Sequence, residues 1–99
     1  MPGWKAVWKD AISAATARLR PRRPDVERGM KLAVDAHRTS LESIVDAYVD
    51  GRIDKETFEG ELAEEKRVFT DALTALRAVG PKRARDAANA FFRVIETAA

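Results

Sequence analysis

Cysteine is absent from the 99 residues, which excludes a disulfide framework and any thiolate metal site. Long apolar runs are missing too: none approaches the ~18 residues that a bilayer-crossing helix needs. The first residues hold Trp4 and Trp8 but no continuous apolar core of the kind a secretory signal requires, so a cytoplasmic protein is the expectation. Histidine occurs once, as His37, too few for the Glu-x-x-His pairs of a di-iron bundle. There is no glycine-rich phosphate loop, and Ser13, Ser40 and Ser43 stand in no nucleophile elbow. These absences argue against an enzyme, a metal site and a bound cofactor. What remains, 45% hydrophobic and 34% charged, suits one globular domain spanning residues 1–99.

Helical periodicity dominates what is present. Val26, Met30, Val34, His37, Leu41, Ile44 and Tyr48 recur every three or four residues, and so do Phe58, Leu62, Phe69, Leu73, Leu76 and Val79. Between these runs lies Asp50-Gly51-Arg52-Ile53-Asp54, with a glycine suited to a left-handed helix end and an aspartate suited to opening the next helix. An antiparallel αα-hairpin follows. Helices are expected over about 3–20, 25–50, 54–79 and 81–97, separated by Pro21-Arg22-Arg23-Pro24 and by Gly80-Pro81. Asp25 is expected to cap the second. The fold class is therefore all-α: a small antiparallel, up-down four-helix bundle built on a long central αα-hairpin.

The bend also resembles the calcium loop of the EF-hand family over one short stretch, through Asp46, Asp50, Gly51, Ile53 and Asp54 followed by Phe58. That resemblance would imply a calcium ion, but Tyr48 and Thr57 stand where the family supplies carboxylates, so a plain turn is expected. Pairing the helices about the bend sets residue i opposite roughly 103−i by helix geometry, which brings His37 near Glu65, Lys66 and Phe69. A structural His–Glu pair is the expectation there.

Net charge is only +2, but it is unevenly spread. Residues 1–24 carry six basic and one acidic side chain, residues 25–79 eight and thirteen, and residues 80–99 four and two. Terminal helices lying on the hairpin would neutralise it. Two basic clusters, Arg18, Arg20, Arg22 and Arg23, and Lys82, Arg83 and Arg85, are expected at the end opposite the acidic bend. Seven cations on one end could instead contact phosphates, which makes nucleic-acid binding the alternative function.

The leading expectation is a non-enzymatic helical protein-interaction or assembly module that self-associates. Phe91 and Phe92 are adjacent and point ~100° apart, so a narrow core seam cannot take both. With Trp4 and Trp8 they are the candidate anchors of a homo-oligomer contact through the first and last helices; the other reading is a bundle core wide enough to take both phenylalanines. Membrane binding by the basic, tryptophan-bearing first helix is not expected, since the hairpin can receive its apolar stripe.

Overall fold

The computed structural model describes residues 3–19 and 23–99. Among them are four helices and no strand: α1 Trp4–Thr16, α2 Pro24–Val49, α3 Lys55–Thr74 and α4 Pro81–Ala98. The 26 residues of α2 span about 39 Å at 1.5 Å each, close to the 40 Å long axis of the molecule. Its pairing with α3 makes the hairpin; α1 and α4 pack most extensively on each other and lie together on one side of it. Successive helices alternate in direction, as the expected up-down bundle requires.

The bend is closed by backbone geometry. Gly51 adopts φ 76°; its N–H donates to the Tyr48 carbonyl at 3.1 Å, and the Arg52 N–H donates to the Ala47 carbonyl at 2.8 Å. This pair of bonds is the Schellman closure, which satisfies carbonyls left over at a helix end. Three residues on, the Asp54 carboxylate accepts from the Thr57 N–H at 2.8 Å and starts α3. That backbone N–H holds the Asp54 carboxyl below its ordinary value of 3.8. The Tyr48 and Phe58 rings stack across the two helices at 4.3 Å.

Three boundaries differ from expectation. α1 stops at Thr16 rather than 20, and Arg18 and Leu19 continue as tighter turns whose N–H groups reach the carbonyls of Ala15 and Thr16. α3 stops at Thr74 rather than 79: the hydroxyls of Thr70 and Thr74 bond back to the carbonyls of Lys66 and Thr70, a competition that weakens a helix. α2 begins at Pro24, so Asp25 lies in the first turn and is not the cap; a proline there gives up an N–H that has no intrahelical partner anyway. Leu19 and Val79 are nevertheless buried. The apolar spacing recorded burial correctly and conformation incorrectly.

One hydrophobic cluster draws on all four helices. Its centre is aromatic: Phe69 of α3 stacks on Phe91 at 4.7 Å and meets Phe92 edge-on at 5.6 Å, and Phe91 faces Trp8 at 6.1 Å. At the far end of the hairpin Gly29 lets α2 and the segment after α3 close up, because a β-carbon there would run into the Leu76 side chain.

Candidate functional site

The four aromatic residues expected to anchor a second copy are used at home. Trp8, Phe91 and Phe92 are 4%, 0% and 1% exposed. The premise that one seam cannot take both phenylalanines is corrected: α4 is covered on two flanks, by α1 and by α3, so its buried stripe is wide enough for both directions. Trp4 is only partly buried and stacks on Trp8 at 5.5 Å.

Trp8 is also the clamp that holds α1 on α2, a role that sequence reasoning missed. Its Nε1–H donates to Glu42 Oε2 at 2.7 Å, and the Arg38 guanidinium lies 5.2 Å from its ring centre. Arg38 and Glu42 are four residues apart on α2, the spacing of an exposed helix ion pair; here both turn to the tryptophan, and Arg38 also reaches Asp35 at 3.4 Å. One turn further along, Trp4 Nε1 and Asp46 Oδ1 are both enclosed without a hydrogen-bond partner.

His37 stands where the pairing rule put it. Its Nδ1 lies 2.9 Å from Glu65 Oε1, and its ring meets the edge of Phe69 at 5.8 Å. At 8% exposure it is the one buried polar residue among those described, and Glu65 satisfies it. Ser40, three residues on, lines a surface groove with Glu65 and is not hydrogen-bonded to His37. Among the described residues no three His, Asp or Glu side chains gather in a metal-binding group. At the bend, Asp46 belongs to α2 and Asp54 is engaged with Thr57, so these carboxylates do not wrap around a common point.

Of the seven cations singled out, Arg20 and Arg22 lie outside the described residues. The other five are exposed. Arg23, with Leu19 and Val26, lines a crevice of about 70 Å³ whose other wall is Ala78, Val79 and Arg83. The link between α1 and α2 therefore meets the connection between α3 and α4, and cations about sixty residues apart in sequence become neighbours. Arg18 lines an adjoining groove with Asp86 and Arg93. Two carboxylates temper these charges: Asp25 takes Arg23 at 3.2 Å and Asp86 takes Lys82 at 3.0 Å. Desolvation opposes ionisation of Asp25, but the hydrogen bond and charge of Arg23 outweigh it and hold the carboxyl below its usual range.

The backbone at this end is unusual. Gly80 opens α4 at φ 77°, ψ 157° and offers no side-chain cap, and no acidic residue lies in the first turn of α4. Lys82 and Arg83 occupy that turn instead, where the positive end of the helix dipole disfavours them. Ala78 has φ 72°, the left-handed region that glycine prefers. Helix capping rules applied to Gly80-Pro81-Lys82-Arg83 would have exposed this conflict in the sequence alone.

No protein-family model matches this chain, nor does any curated protein or solved structure. The candidate surface therefore stands on its own chemistry. No described helix is long and apolar enough to cross a membrane.

Proposed function

We propose that this chain is a non-enzymatic helical interaction module whose cationic end holds the phosphate backbone of a nucleic acid without regard to sequence. One observation carries the reading: Arg23 and Arg83, from two separate clusters, line one crevice, with Arg18, Lys82 and Arg85 exposed on the elements beside it. Lys82 and Arg83 stand in the first turn of α4 against the helix dipole, and Lys82 is offset there by its pair with Asp86 one turn on. A polyanion would turn the same placement into an advantage, because the uncapped N–H groups and the side chains then act together. The acidic bend lies a full α2 length away and would be repelled from the same polymer. The long helices meet as a hairpin, so no recognition helix is offered to a groove and base readout is not part of the proposal. Of the four aromatic anchors expected for self-association only Trp4 keeps partial exposure, and phosphate binding does not depend on it.

The test is the salt dependence of binding to a fluorescent DNA duplex. Three to five neutralised phosphates give a slope of log affinity on log salt of about −2.7 to −4.5. Replacing Arg18, Arg23 and Arg85 together by serine should flatten it by about one for each phosphate no longer neutralised. A slope unchanged by the triple replacement, or no binding at low salt, contradicts the proposal.

A further inference from the structure

A second surface lies on the opposite side of the hairpin from α1 and α4. A groove of about 510 Å³ runs between α2 and α3 there. Ser40, Ser43 and Ala47, with Ile44 rising beside them, line its α2 wall, and Glu61, Glu64 and Glu65 its α3 wall. The small side chains continue back to Ala36, giving steps of four, three and four residues. That spacing keeps a low ridge on one face of α2, over which another helix can approach closely. Leu32 and Val68, on the same two helices, are 66% and 43% exposed, and the remaining exposed large apolar side chain among the described residues, Val49, is also on α2. Among the described residues the most exposed large apolar side chains thus sit on the hairpin, while those of α1 and α4 are buried or only partly exposed.

We infer that this groove docks an amphipathic helix of a partner protein, one that carries lysine or arginine along the flank facing α3. The glutamate wall supplies the complement. Arg67 holds Glu64 below its usual range and so ionised, Glu65 is held by His37, and Glu61 is exposed. The neutral α2 wall takes the apolar ridge of the incoming helix. A second copy fits poorly: the apolar stripes of α1 and α4 are buried, so this chain has no free amphipathic helix with a cationic flank to seat there. Helix docking here is independent of nucleic-acid binding, because the groove uses no residue of the cationic end.

The probe is an 18-residue peptide of leucine, alanine and lysine, with a leucine stripe flanked by lysines, titrated against the full chain by fluorescence anisotropy. The same peptide with glutamate in place of lysine is its counterpart. The lysine peptide should bind at least about tenfold more tightly than the glutamate peptide. Ser43→Trp, which fills the groove from an exposed position, should weaken it about tenfold or more. Glu61→Lys with Glu64→Lys, made wholly at the surface, should do the same if the tryptophan variant does not fold. Glu56→Lys, outside the groove, should leave affinity within about twofold. Equal binding of the two peptides overturns the inference. So do indifference to both groove variants, and a dimer of the free chain that Ser43→Trp dissociates.

Discussion

At the bend, Gly51 closes α2 and Asp54 opens α3 through paired local hydrogen bonds. At the other end of the hairpin, α4 begins on a glycine without a side-chain cap and places Lys82 and Arg83 in its first turn. The bend meets the capping preferences for stopping one helix and starting the next, with a left-handed glycine and an aspartate N-cap; the far end departs from them. Sequences that specify a fold agree with themselves at each level, and departures tend to gather where something other than stability is being served. The end where Arg23 and Arg83 meet gathers such departures: a helix start without a side-chain cap and Ala78 at φ 72°.

Substitutions at the two ends put this difference to the test. The largest effect should come from Phe58→Ala, which removes a buried ring stacked on Tyr48 at the bend and should cost about 3 kcal/mol in urea denaturation. A loss below ~1 kcal/mol would mean that the bend is not the stable end described here. Next, Gly80→Ala forces a β-carbon into φ 77°, ψ 157°, a region almost confined to glycine, and should cost about 2 kcal/mol by the same measurement. The reverse change at Ala78, to glycine, relieves φ 72° and should add about 0.5 kcal/mol after the entropy of the added glycine is counted. A destabilised Ala78→Gly would show that no strain is held at that end.

The smallest effect concerns pH. Asp54 titrates below its ordinary value of 3.8 in the folded chain. Its cap therefore stabilises the protein fully above that value, and the contribution fades as pH falls through the lower, folded one. Melting temperatures from pH 7 to 2 should converge between the parent and Asp54→Ala as the pH drops. A gap that stays constant across that range would show that the carboxylate charge plays no part in the cap.

Legibility in the sequence followed the physics of each feature. Gly51 and Asp54 were readable because capping needs particular residues at particular places, and the hairpin register followed from helix rise alone, as His37 and Glu65 attest. The ends of α1 and α3 were not, because Leu19 and Val79 stay buried after the helix has ended and so prolong the apolar period. For Phe91 and Phe92 the sequence left surface and wide core both open, for a related reason: their separation in angle is a property of one helix, whereas the breadth of the core depends on how many neighbours flank it. Arg38 and Glu42 looked like a surface pair because nothing local shows that Trp8 will arrive between α1 and α2. The two basic clusters were visible as composition, but their shared crevice is a product of how the two connections meet.

The most direct measurement is the map of backbone amide shifts as a short DNA duplex is added to isotope-labelled protein. Phosphate binding at the cationic end should perturb amides in residues 17–25 and 78–86 and leave residues 46–58 at the bend unchanged. Shifts centred on the bend, or spread evenly over the molecule, would contradict it.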